Sequence, residues 1–197
     1  NAQNDININA NITATNGKLN LIYGQDTANT AANYYLNNGA KVNLKAGQNF
    51  STQKGANAPI NYTVITDLGA AGSTTKTDLQ GINGGLTGNY VLGADIDASA
   101  TSGWNAGQGF QPIGRFYGKF DGLNHTISNL YINRPAQDYI GLFGATSAAN
   151  IQNIGVVGGS ITGNNVVGGL VGGVLNTQLN NSYTMTNVKG NISIGGL

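Results

Sequence analysis

Apolar and polar residues alternate in short runs along the whole chain, and nowhere do they take up the spacing of a helix. In residues 5–15, Ile6, Ile8, Ala10, Ile12 and Ala14 share one parity, while Asn7, Asn9, Asn11 and Thr13 share the other. Period-2 alternation predicts strands with one face buried and one solvated. No stretch supplies the roughly 10 to 12 residues of 3.6-residue periodicity that a helix needs. Asn16-Gly17 is a turn signal, after which Leu19 and Leu21 point inward again.

The runs themselves recur. Tyr139-Ile140-Gly141-Leu142-Phe143-Gly144 returns as Val167-Gly168-Gly169-Leu170-Val171-Gly172, and Gly141 to Gly169 is an offset of 28 residues. The same offset carries Ile151 onto Leu179 and Asn153 onto Asn181, while Gly169 maps onto Gly196 at 27. A propeller blade takes about 40 to 45 residues and four strands. A period of 27 to 28 leaves room for two or three short strands, which suits one turn of a parallel β-helix. The expected fold is all-β: a right-handed parallel β-helix with coils of about 22–28 residues and loop excursions. Equivalent positions would then stack about 4.8 Å apart, with Asn153 and Asn181 forming an amide ladder at a corner.

A shorter cycle runs through the N-terminal part, where Leu19, Leu21, Gly24 and Gln25 reappear as Val42, Leu44, Gly47 and Gln48, each displaced by 23. The chain therefore reads as a single solenoid on one continuous axis. It divides into shorter coils over 1–61, lead-in coils with excursions over 62–138, and the glycine-framed repeats over 139–197. Asp26 to Asn38, polar and Ala-rich with Tyr34-Tyr35, reads as a loop or short strand on the outer wall. Asp78 to Ile82 reads as a single helical turn capped by Thr77. Ala98 to Gly109, with the one Trp, and Tyr131 to Asp138 read as excursions from the wall.

These glycine-framed segments carry a resemblance. Gly141-Leu142-Phe143-Gly144 and Gly168-Gly169-Leu170-Val171-Gly172, then Asn181-Ser182-Tyr183 and Val188-Lys189-Gly190, resemble the GLUG repeat of large bacterial surface exoproteins. The run Phe110-Gln111-Pro112-Ile113-Gly114, with Gly118 to Leu130 after it, is similar to the segment that leads into such repeats. The likeness is to filamentous-haemagglutinin-like adhesins exported by two-partner secretion, and it covers about two thirds of the chain, from Tyr62 on. It implies a shaft-like adhesive module that is secreted to the bacterial cell surface. The implied partners are a host or surface receptor, protein or glycan, and an outer-membrane transporter during export. With no catalytic constellation in the sequence, neither enzymatic activity nor a cofactor is expected.

Composition changes the picture in three ways. Charged residues are 9 % of the 197 and net charge is +1, so the clustered Lys and Arg that nucleic acid demands are missing. Cysteine is absent, which excludes disulfides and thiolate metal sites and suits passage across an oxidising compartment. No apolar run reaches about 18 residues, so no membrane span is expected. The chain reads as a fragment of a longer secreted protein, its export signal out of view.

Candidate chemistry is sparse. Asp95 and Asp97 share a face of a strand with Ile96 turned to the core, and paired carboxylates can divide acid and base roles on a polysaccharide-active β-helix. The competing reading gives both to backbone N–H groups at a strand end. Asp121 joins them in a possible Ca²⁺ site only if the coils align, since Ca²⁺ needs about six oxygens or more. His125, the one histidine, shares the parity of Ile127 and is expected to point inward and bond a backbone carbonyl. IgA-cleaving metallopeptidases that carry similar repeats need two histidines and a glutamate on a helix, and the chain has no glutamate. Trp104, Arg115 and Tyr117 form the candidate ligand contact, a glycan- or protein-binding surface, unless Trp104 folds back as a lid over the apolar wall. The residues expected to build the repeat are Gly141, Leu142, Gly144, Asn153, Gly169, Leu170, Gly172 and Asn181.

Overall fold

The computed structural model describes residues 1–26 and 31–197. It is a β-solenoid of parallel strands in about six turns, with short 3-10 turns and no α-helix among the described residues. Three walls enclose the main core. The first stacks Asn89–Leu92, Lys119–Asp121, Asn150–Gln152 and Gln178–Asn180; the second stacks Ile96–Asp97, Thr126–Ser128, Gly155–Thr162 and Tyr183–Lys189. The third stacks Ile113–Phe116, Phe143–Ser147 and Val171–Leu175.

Alternation explains which side chains line the interior. Tyr90, Phe120, Ile151 and Leu179 are register partners in successive coils, as are Ile113, Phe143 and Val171. Phe116, Phe120 and Phe143 meet ring to ring, with centroids 5.1 and 5.3 Å apart. Leu142 accompanies Leu170 one coil above, the Phe143 N–H donating to the Leu170 carbonyl at 2.9 Å. Burying each such side chain favours the stack by roughly 1.5 to 3 kcal/mol.

At the corner, Asn181 Nδ2 donates to Asn153 Oδ1 at 3.3 Å, with φ of 47° and 53° at the two residues. Asn enters that left-handed region more readily than most residues because its short polar side chain hydrogen-bonds locally.

Where the third wall begins, no strand among the described residues pairs beneath Ile113–Phe116. Side-chain amides stand in for one. Gln80 exchanges hydrogen bonds with the Gln111 carbonyl and N–H at 2.9 and 3.0 Å, and Asn83 Oδ1 accepts the Gly114 N–H at 2.9 Å. Leu79 and Ile82 beside them are fully buried, plugging the end of the core. The turn that carries them, Gln80–Gly84, is not capped by Thr77. Asp78 does that work instead, accepting from the Gly81 N–H at 2.6 Å and from the hydroxyls of Ser73 and Thr75.

The N-terminal part departs from expectation. The displacement of 23 is not the stacking register: Val42 and Leu44 pair with Ile12 and Ala14, while Leu19 and Leu21 pair with Phe50 and Thr52. A Leu-x-Leu alternation looks the same on neighbouring walls of one coil as on neighbouring coils, so the pattern matched the wrong strands. Nor does one parallel stack run through both halves. Gly47–Lys54 meets Ile60–Ile65 antiparallel, and strand direction reverses there while the sheet continues to Asn89–Leu92. The N-terminal strands build a second core, in which Val42, Leu44 and Tyr34 pack against Val91 and Leu123 of the main coils. Val91 alternates with Tyr90 and Leu92 of the main core, so this second core covers an outer face of the solenoid.

Two loops also differ. Tyr131–Asn133 is a strand paired with Ser160–Thr162, not an excursion, because Ile132 fills the column below Ile161. Of the segment 26–38, residues 27–30 lie outside the described residues, while Tyr34–Leu36 is a strand paired with Ile6–Ile8.

Candidate functional site

The seam between the N-terminal layer and the main coils gathers most of the titratable groups that the sequence singled out. Ile96 enters the core, and Asp95 and Asp97 face outward from the same strand end. Asp95 accepts from Lys41 Nζ at 2.7 and 2.9 Å, from the Thr126 N–H at 2.9 Å and faces His125 Nδ1 at 3.2 Å. Burial alone raises its pKa, but the Lys41, Thr126 and His125 hydrogen bonds and the Lys41 charge outweigh that and leave it below the ordinary value. Asp97 is taken up by Asn129 Nδ2 at 3.1 Å and by the N–H and hydroxyl of Ser99, each at 3.0 Å, and these hold it low too. Each carboxylate is thus engaged by its own partners, and neither is held in the protonated form that a general acid needs.

His125 is buried, and its Nε2 lies 3.1 Å from the Val42 carbonyl. The backbone carbonyl is found as expected, but it belongs to the N-terminal layer, so the ring is buried in the seam and not in the main core.

Asp121, 2 % exposed, is the most enclosed carboxylate of the seam. Tyr34 donates its hydroxyl to Oδ2, Gln152 Nε2 reaches the same oxygen at 2.8 Å, and Asn153 Nδ2 and the Leu123 N–H reach Oδ1 at 2.9 and 2.8 Å. Burial raises its pKa from the ordinary carboxylate value despite these four donors. The neighbours present N–H and O–H groups where a Ca²⁺ ion needs oxygens, so the set does not fit that ion. No group of three or more His, Cys, Asp or Glu side chains converges on a metal position among the described residues.

Trp104 stacks on Phe110, centroids 6.4 Å apart at 22°, and packs against the main core as a lid. Its loop is held by Arg134, whose Nε donates to the Phe110 carbonyl at 3.2 Å and whose guanidinium reaches Gln108. Arg115 lines shallow hollows beside Tyr139 on the third wall, and Tyr117 stands exposed at the corner beyond it.

Tyr34 and Lys41 escaped the sequence reading. Their partners Asp121 and Asp95 lie 87 and 54 residues away, and no repeat links the segments.

Over 133 residues, 61 % of its length, the chain is 46 % identical to halomucin of Haloquadratum walsbyi. Over 163 residues, 79 % of the chain, it is 29 % identical to an immunoglobulin A1 protease of Streptococcus sanguinis. The chain spans 1 % and 8 % of the length of these two relatives. No family model matches the chain and no solved structure matches it.

Proposed function

We propose that this chain is a structural and adhesive section of a large secreted or cell-surface protein, a stack of coils that carries polar outer walls toward a surface or receptor. The observation that carries this reading is the pairing of a continuous apolar column with an outer wall whose Asp95 and Asp97 are each committed to local hydrogen bonds. The relatives support it. Both are far longer than the chain, and the stronger match is to a protein named as a mucin. Membership of the filamentous-haemagglutinin-like class, with GLUG-type repeats and a dedicated outer-membrane transporter, is part of the proposal and rests on the Gly-Leu-Phe-Gly and Gly-Gly-Leu-Val-Gly motifs.

Beads coated with the purified chain test this reading. Saturable attachment to cells or to immobilised surface glycoprotein is expected, with no release of product from polysaccharide or from immunoglobulin A1. Turnover of either polymer that disappears in the Asp95→Asn, Asp97→Asn double variant would replace the adhesive reading with the enzymatic one.

A further inference from the structure

A pocket of about 190 Å³ opens where the N-terminal layer meets the outer face of the first wall. Tyr23, Thr52, Ile60 and Tyr62 line it together with Lys119, Gln178 and Asn180. Its polar groups are unevenly satisfied. Asp121, at its floor, has both oxygens occupied by donors. The Tyr23 hydroxyl has no hydrogen-bond partner among the described residues and reaches the pocket opening. Lys119 Nζ has none either, nor does the Asn180 side-chain amide, and Gln178 uses only its Oε1, accepting from Asn150 at 3.0 Å.

The groups left over are therefore one cation, one hydroxyl and two amides, nearly all of them donors. No buried side-chain polar atom among the described residues lacks a partner, so these groups open into the pocket, where water or a ligand can accept from them. The ligand that answers this set is acceptor-rich and carries a negative charge. Tyr23, Tyr62 and Ile60 bring ring and aliphatic surface to a lining that is otherwise polar, a mixture that suits a sugar ring. One face of such a ring presents C–H groups, while its edge presents hydroxyls.

We propose that this pocket binds a single carboxylate-bearing sugar residue, with Lys119 pairing the carboxylate, the Tyr23 hydroxyl donating to a ring substituent, and Gln178 and Asn180 holding the hydroxyl edge. The proposal deepens the adhesive reading and rests on it, since it names the chemical class that the outer wall would recognise. It assigns that contact to the seam and not to Trp104, Arg115 and Tyr117.

The test titrates the full chain with methyl glucuronide, with methyl N-acetylneuraminide, and with methyl glucoside as the uncharged counterpart. Saturable binding of at least one acid sugar is expected, with the glucoside at least tenfold weaker. Lys119→Gln is expected to weaken the acid sugar at least tenfold, and Tyr23→Phe, which keeps the ring, at least threefold. Both variants are expected to melt with the parent. Failure of both acid sugars to saturate, equal binding of the glucoside, or an unchanged Kd in Lys119→Gln would overturn the proposal. Bead attachment measured alongside separates the two readings. Attachment that persists when no acid sugar binds removes the pocket and leaves the adhesive section standing, and loss of attachment in the parent removes the latter.

Discussion

Tyr34 donates its phenolic hydroxyl to Asp121 across 87 residues of sequence, tying the N-terminal layer to a coil of the main stack. The tyrosine also accepts from Gln152 Nε2 at 2.8 Å, so one hydroxyl joins the layer to two successive coils.

Tyr34→Phe keeps the ring and its edge contact with Tyr23, centroids 5.8 Å apart, and deletes only the hydroxyl. Removing one donor from a buried acid is expected to cost about 1 to 3 kcal/mol. Urea melts followed by tyrosine fluorescence or circular dichroism read that loss, and an unchanged midpoint would mean that the layer is held by its apolar contacts alone.

Asp121 and Asp95 pull the pH dependence of stability in opposite directions. For Asp121 the folded pKa is raised from 3.8, so the unfolded chain gives up its proton first as pH climbs. Its contribution is present below 3.8 and falls as pH rises toward the raised value; Asp121→Asn is expected to remove that slope. For Asp95 the folded pKa is lowered from 3.8, so its contribution is present above 3.8 and is lost as pH falls through the lowered value. Asp95→Asn is expected to flatten the acid limb only. Equilibrium melts across the acid range separate the two, and identical slopes in both variants would contradict the assignment.

The Lys41–Asp95 pair is partly exposed, its side chains 32 % and 53 % accessible. Lys41→Met is therefore expected to cost no more than about 1 kcal/mol, and less in high salt.

Leu142 is fully buried between coils, whereas Met185 on the last coil is 66 % exposed. Leu142→Ala is expected to cost about 2 to 5 kcal/mol, and Met185→Ala to stay within about 0.5 kcal/mol. Gly159 sits at the bulge between Val157 and Ser160 with φ of 71°, and a Cβ there would lie 2.2 Å from the Leu130 carbonyl oxygen. Gly159→Ala is expected to cost more than about 2 kcal/mol, since a side chain meets both backbone strain and a rigid neighbour. Near-neutral melts for Leu142→Ala or Gly159→Ala would mean that the coils do not stack as described.

The legible part of the molecule was the part whose period is kept. From Gly141 onward, glycines, Leu142 and Leu170, and Asn153 and Asn181 recur at nearly constant spacing, because each coil must place the same small or left-handed residue at the same corner. Earlier coils obey the same stacking but not the same count. Lys119 lies 31 residues before Asn150, and Asn150 lies 28 before Gln178, so extruded loops blur the period. The reversal at Gly47–Lys54 and Ile60–Ile65 left no mark that alternation can carry, since a strand reads alike in both directions. Of the site, the outward face of Asp95 and Asp97 and the carbonyl partner of His125 followed from parity. The roles of Tyr34 and Lys41 did not, because they depend on a layer folding over a wall, which local pattern does not encode.

Asn150 and Gln178 face outward on adjacent coils as register partners, and the chain has no cysteine of its own. The most direct test of coil stacking is therefore oxidation of the Asn150→Cys, Gln178→Cys double variant beside Lys119→Cys, Gln178→Cys, whose positions lie two coils apart. Neighbouring coils place the first pair within the roughly 4.4 to 6.8 Å Cα separation that a disulfide allows, and the second pair outside it. The account predicts rapid, near-complete intramolecular crosslinking of the first pair alone. Crosslinking of the second pair in preference to the first, or of neither, would contradict it.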